Sequence, residues 1–434
     1  MSNIRSCRRL AGCAALSILM GCGGNESSSA PRSGSAARPA ANVALRVAVV
    51  NDGGLVAAIT KLRGEWQELG GGELVVAEIS LEQSLAEQDY DLLVFPSRYL
   101  GELCEAGRLR PMRTSILESK ELDFGDILPL VREREIVYGQ QVMALPLGCP
   151  TPLVASTEAE PTTVIEPLAD EYAAFVLMAR VAPLARHPSR EALWFDPDTM
   201  QPRLTEPPFV RALKELVDAK SGLHSPCGIG EELLRGRSPA AIVWPCRTSD
   251  APGSAPSLSV RPFPPATQVY NSTAQAWETT PPRQVTLLST SGRLVGVTTG
   301  SRNAASAFRL AGWLASPGVA GQLVASSDGL AICRGSQRRM TDNWIGSSRS
   351  SSGQQFSEQL AAALRQRESV TIPRLRGVDQ YLEKLAAAVR SAAEGNTTPE
   401  EALATAVEDW EKLTNALGRD RQRLAYRRCL GIDR

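Results

Sequence analysis

Cys22 is the residue with the most pointed chemistry in this chain. It closes the run Leu19-Met20-Gly21-Cys22, which reads as a lipobox. Gly21 is small enough for a peptidase pocket, and the Cys22 thiol is the nucleophile that receives a lipid. Arg5, Arg8 and Arg9 give a positive start, and Leu10 to Met20 is an apolar stretch too short to span a bilayer. Leu10-Ala11-Gly12-Cys13 is the closer literal match, but no apolar segment precedes it, so lipidation is assigned to Cys22. Residues 1–22 are therefore expected to be a bacterial lipoprotein signal peptide. Residues 23–43 are rich in Ser, Ala, Gly and Pro, a composition that buries no core and makes a flexible linker reaching ~25 Å. The expected location is the cell envelope, with the body in the periplasm and the lipid in a membrane. Several acyl chains hold firmly where one is marginal.

Catalytic chemistry finds little material. Leu193-Trp-Phe-Asp-Pro-Asp198 has two Asp residues at the spacing of a phosphatase opening, but Met200 stands where Thr or Val is required. Asp-Pro-Asp is ordinary turn chemistry. There is no GxSxG elbow and no phosphate loop. His187 and His224 are the only histidines, too isolated to build a Ser-His-Asp site. Cys104, Cys149, Cys227, Cys246, Cys333 and Cys429 stay in the body, an even set that permits disulfides in an oxidising envelope. Cys227 with Cys246 brackets one short segment and is the best pair, with buried free thiols equally open. No CxxC occurs, and neither a metal nor a cofactor is expected. Lys plus Arg equals Asp plus Glu, 47 against 47, with no polybasic block, so nucleic acid is not an expected partner.

The elements that would position a site follow from hydrophobic patterning. Leu45 to Val50, Leu74 to Glu78 and Leu92 to Phe95 are short apolar runs separated by stretches of helical length. That is the β-α-β-α-β rhythm of a parallel sheet wrapped by helices. Ligands in such sheets sit beyond the carboxyl ends of strands, which marks Asn51-Asp-Gly-Gly54 and Pro96-Ser-Arg-Tyr99 as site-edge loops. A helix is expected from Glu206 to Val217 with Pro at its start, burying Phe209, Leu213, Leu216 and Val217. Ala240 to Trp244 and Leu294 to Thr298 read as strands. The latter leads into a helix capped by Asn303 that carries Phe308, Ala311 and Leu314. Ser336 to Ser357 reads as a polar surface excursion. The C-terminus is helical: Val378, Tyr381, Leu382, Leu385 and Val389 share one face, and Thr398-Pro-Glu-Glu401 is a capping box.

Four segments give the chain a family likeness. Residues 91–111, DLLVFPSRYLGELCEAGRLRP, are similar to a strand, loop and helix ending in AG-x-L-x-P, and 137–148, VYGQQVMALPLG, to a hairpin written YGLP. Residues 232–245, ELLRGRSPAAIVWP, match an F-x-x-G-x-A-A-M element, and 301–317, SRNAASAFRLAGWLASP, an SKN…F…SP helix. In this order, with the capped C-terminal helices, they resemble the extracellular solute-binding proteins of ABC importers, of the maltose-binding-protein type. The resemblance implies an α/β, two-lobed periplasmic-binding-protein fold of type II, each lobe a sheet flanked by helices, with crossing hinge strands. Lobe one would be 44–149 and 295–338, and lobe two 150–294 and 339–434. It implies binding without bond-making: a small solute, a carbohydrate by preference, captured between the lobes and delivered to ABC permease subunits by a monomer. The pattern departs at Leu153-Val-Ala-Ser156, where members often have Tyr-Tyr-Asn.

Sugars are held by aromatic rings against their C–H faces and by charged or amide side chains on their hydroxyls. Only 5% of this chain is aromatic, so loop aromatics carry weight. Trp244 ends a strand at the position that faces the cleft in relatives, against the alternative of a core Trp. Tyr99, Asp52, Ser97, Arg98, Thr151 and Asp328 complete the expected ligand-binding set, while Trp277 and Trp344 have no assigned place. The competing reading is an envelope lipoprotein that reuses the fold as a sensor partner or scaffold.

Overall fold

The computed structural model describes residues 43–433 apart from 87–88, 160, 162, 220–221, 246–257, 328, 341–343 and 345–350. Cys13, Cys22, Cys246 and Asp328 lie outside the described residues. The body falls in one compact unit, Asn42–Arg434. No helix among the described residues is long and apolar enough to cross a membrane.

Leu45–Val50 pairs in parallel with Leu74–Ile79 on one side and Leu92–Pro96 on the other, as the β-α-β-α-β rhythm implies. The sheet then adds Arg293–Val297, antiparallel to both its neighbours, and ends on Leu145–Gly148. A second, three-stranded antiparallel sheet places Leu153–Ser156 between Ala240–Val243 and Ser259–Pro262. These two sheets with their helices are the two α/β lobes. The whole Leu153–Ser156 strand is buried at the sheet centre, which suits its small and aliphatic residues.

The chain crosses between the sheets at residues 149–152 and 289–292. Two glycines make the crossing possible. A Cβ on Gly292 would lie 2.7 Å from the Gly148 carbonyl oxygen, and one on Gly148 would lie 2.7 Å from the Ala331 nitrogen. Any larger residue would push the crossing segments apart. Thr151 Oγ1 donates to the Leu287 carbonyl at 3.0 Å and fastens them side by side.

The helical expectations hold in most places. Pro207–Asp218 buries Phe209, Leu213 and Leu216, while Val217, expected on the same face, is only half-buried. Val378–Ala393 buries Val378, Tyr381, Leu382, Leu385 and Val389, and Thr398 and Glu401 form a reciprocal capping box ahead of Pro399–Leu417. Asp196 accepts backbone N–H bonds from Asp198 and Thr199, so the Asp-Pro-Asp segment is a turn. Its neighbour Phe195 stacks on Trp410 at 4.9 Å in the core.

Four expectations need correction. Asn303 precedes helix Ala304–Leu314 but makes no side-chain cap bond. The Ser-rich stretch is not all surface excursion: helix Ser351–Ala363 begins inside it and buries Phe356. Asn51-Asp-Gly-Gly54 is not a plain loop, because Asp52 accepts the Leu55 N–H at 3.0 Å and caps helix Gly53–Lys61. Ser97–Tyr99 is a short 3-10 turn that runs straight into helix Leu100–Glu105. Cys227 is disulfide-bonded, while Cys104, Cys149, Cys333 and Cys429 are free thiols.

Candidate functional site

Asp52 anchors a polar cluster at the carboxyl end of the first strand. One carboxylate oxygen caps the helix; the other accepts Arg293 Nε at 2.9 Å and the Ser327 hydroxyl. Arg293 opens the antiparallel return strand, and its Nη1 donates to the Ser291 carbonyl at 2.8 Å. Burial pulls the Arg293 guanidinium below its ordinary value and the nearby Arg98 adds to this, while Asp52 opposes both. With the Asp52 side chain 7% exposed and that of Arg293 12%, the pair is nearly dry.

Arg98 sits at the carboxyl end of the third strand. Its Nε donates to Asp379 at 2.7 Å, its Nη2 lies 3.8 Å from Glu171, and its guanidinium lies over the Tyr99 ring at 4.8 Å. The Tyr99 hydroxyl donates to the other Asp379 oxygen. Burial alone would weaken the Arg98 cation, but Asp379, Tyr99 and Glu171 outweigh it and hold the guanidinium protonated. Burial pushes the Tyr99 phenol up. Asp379 belongs to the first turn of helix Val378–Ala393, so this clasp joins segments 280 residues apart.

Near these pairs in the chain are buried polar atoms without protein partners. Ser97 Oγ, Ser291 Oγ and Trp244 Nε1 find no hydrogen-bond partner among the described residues. Ser97 is fully buried, Trp244 is 1% exposed and Ser291 is 9% exposed. Buried donors left unpaired cost about 1–3 kcal/mol each, and others occur elsewhere in the fold, among them Trp66 Nε1 and Arg334 Nε. The Trp244 ring meets Tyr172 edge-on at 5.3 Å, and Tyr172 is close enough to Arg293 to act on its charge. Ser97 touches the Asp52–Arg293 side through its backbone N–H, which donates to the Gly292 carbonyl at 2.7 Å. The cluster thus presents hydroxyls, an indole N–H, aromatic rings and a carboxylate–guanidinium pair together.

Of the sequence-derived set, Asp52, Ser97, Arg98, Tyr99 and Trp244 come to this cluster. Thr151 is 2% exposed and spends its hydroxyl on the crossing strands. Asp328 lies outside the described residues. Trp277 pairs with Tyr270 and lies under Arg211, and Trp344 stacks on Phe356. Sequence reasoning missed Arg293, Ser291, Tyr172, Glu171 and Asp379. The polar run Ser289 to Arg293 between two apolar strands was the available signal for the first two.

No protein-family model matches the chain, and no curated protein matches it. Solved structures do. An ABC transporter solute-binding protein from Agrobacterium radiobacter K84 in complex with ribitol aligns at a TM-score of 0.62 and 17% identity, covering 87% of this chain and 100% of that one. The sugar-binding protein MalE from Xanthomonas citri gives 0.62 and 13%, covering 86% and 99%. The maltotriose-binding protein of Thermus thermophilus gives 0.59 and 14%, covering 86% and 100%. At these identities the likeness is one of fold. This chain has the two-lobed, type II periplasmic-binding-protein fold of ABC transporter solute-binding proteins.

Proposed function

We propose that this protein is a lipid-anchored solute-binding receptor of an ABC importer, and that its solute is a small polyhydroxylated molecule, a sugar or a polyol. The observation that carries this reading is the trio of orphaned polar atoms, Ser97 Oγ, Ser291 Oγ and Trp244 Nε1, beside the Asp52–Arg293 pair. A solute with several adjacent hydroxyls satisfies such a set at once, because each hydroxyl both donates and accepts. The Tyr172 and Trp244 rings supply apolar surface for its C–H faces. The solutes named for similar folds, ribitol and maltotriose among them, are of this chemical class.

The proposed cycle is hinge closure about the crossing segments near Gly148 and Gly292. Solute contacts both lobes, shifts an open population towards the closed form, and the closed form docks on membrane permease subunits. The Arg98–Asp379 and Tyr99–Asp379 contacts support a boundary that opens and shuts there, since they join the two sides through polar bonds. Solute capture in this reading requires no bond-making, metal or cofactor.

The test is a thermal-shift panel of pentitols, hexitols, mono- and oligosaccharides, and amino acids. A ligand that binds only the native state at 100 times its Kd stabilises by about 2.7 kcal/mol. A rise with sugars or polyols alone is expected. A rise with amino acids alone, or with nothing in the panel, overturns the assignment.

A further inference from the structure

A separate cavity of about 510 Å³ lies between helix Leu100–Glu105 and the C-terminal helices Pro399–Leu417 and Arg419–Cys429. It shares no lining residue with the Asp52–Arg293–Trp244 cluster. Its volume is that of a small-molecule site. Leu85, Leu417 and Leu424 give it apolar walls, and Leu424 is 42% exposed.

Its acidic residues are bonded within the fold, and its two arginines are not. Glu105 is fully engaged: both carboxylate oxygens accept Arg428 Nη1 at 2.9 Å, and the Tyr138 hydroxyl donates to one of them at 2.8 Å. Glu102 is 8% exposed, accepts the Gly377 backbone N–H and feels the charge of Arg376. Arg376 and Arg421 both line the cavity. Among the described residues neither guanidinium donates a hydrogen bond or makes an ion pair. Glu102 also feels Asp379 and Glu82, so acidic and basic groups here are close to balance; what sets the cavity apart is two guanidinium groups without a bonded partner beside an apolar wall. A guanidinium is built for bidentate recognition of a carboxylate.

We propose that this cavity binds an amphiphilic monoanion, an alkyl carboxylate, with its carboxylate on Arg376 and Arg421 and its chain along Leu85, Leu417 and Leu424. The site is independent of the solute-binding reading, and a failed sugar and polyol panel leaves it standing. The experiment is calorimetric titration of the full chain with hexanoate, hexanol and hexylammonium, which share one apolar chain and differ in head-group charge. Hexanoate is expected to bind one site at least tenfold more tightly than hexanol, and hexylammonium more weakly than either. Arg376→Ala and Arg421→Ala should each weaken hexanoate at least tenfold, and Arg421→Ala, whose guanidinium is not bonded within the fold, should do so with an unchanged melting temperature. Arg423→Ala, on the same helix but outside the cavity lining, should leave hexanoate binding intact. Equal affinity for hexanoate and hexanol, a preference for hexylammonium, or undiminished hexanoate binding in both cavity variants would overturn the proposal.

Discussion

Replacing Trp244 by Phe separates the aromatic ring from its N–H, and the two make different contributions. The indole is 1% exposed, packs edge-on against Tyr172 at 5.3 Å, and has an N–H without a protein acceptor. An unpaired buried N–H costs about 1–3 kcal/mol, and a phenyl ring carries no such penalty. The smaller ring gives up roughly two carbons of apolar contact, about 0.8 kcal/mol apiece. These effects nearly offset, so the ligand-free Trp244→Phe protein should unfold within ~1 kcal/mol of the parent. For a chain of this length that is a shift in melting temperature of about 1–2 °C. Solute binding should suffer more, because the N–H is assigned to a solute hydroxyl that the phenyl ring leaves unpaired. The expected loss is about tenfold in affinity, or ~1.4 kcal/mol. Trp244→Ala, which also removes the ring, should cost ~3–5 kcal/mol of stability. Urea unfolding and calorimetric titration of the same Trp244→Phe preparation provide both numbers. A stability loss above ~2 kcal/mol, or an unchanged affinity, would refute the assignment of this N–H to the solute.

Asp52→Ala removes a helix cap and strands a nearly dry guanidinium on Arg293, so unfolding stability should fall by about 3–5 kcal/mol; a loss below ~1 kcal/mol would show that the pair carries little. Glu102 has its carboxyl held above the ordinary value of 4.5, chiefly by burial. A raised carboxyl pKa means the folded state binds the proton more tightly, so stability is lost as pH rises from that value through the raised one. Glu102→Gln should therefore be the more stable protein at pH 7 and the parent should close the gap near pH 4, as followed by melting temperature across pH. Cys22→Ser should abolish incorporation of labelled fatty acid and Cys13→Ser should leave it intact; the reverse pattern would move the anchor to Cys13.

Local signals carried the first half of the fold well. Apolar strands alternating with helical stretches specify a parallel arrangement because each crossover helix must cover one sheet face. Pro207 and the Thr398–Glu401 box mark helix starts by satisfying or dispensing with orphan N–H groups. The insertion of Arg293–Val297 between Leu92–Pro96 and Leu145–Gly148 was not legible in the same way, since strand order is set by pairing across about two hundred residues. The hairpin Ala266–Asn271 with Ala276–Arg283 also escaped, because Pro281 and Pro282 argue against a strand. They are tolerated in a two-stranded ribbon whose outer edge needs no N–H.

The site divides along the same line. Asp52, Ser97, Arg98 and Tyr99 were found because they follow strand ends, where a parallel sheet leaves room for ligands. Their partners Arg293, Glu171 and Asp379 carry no local signature of a site. A charged residue at a helix start or a strand start is ordinary, and only the folded chain brings these to the cluster. Tyr99 and Trp244 are more deeply buried than loop positions suggest, because both pack into the hydrophobic core.

The central claim is a receptor that closes on a polyhydroxylated solute. Small-angle scattering of the protein, without and with a saturating sugar or polyol from the thermal panel, measures closure directly. The account predicts a fall in radius of gyration on addition of the stabilising solute and no change with a non-binding isomer. A profile unchanged at saturation would contradict hinge closure and with it the import cycle.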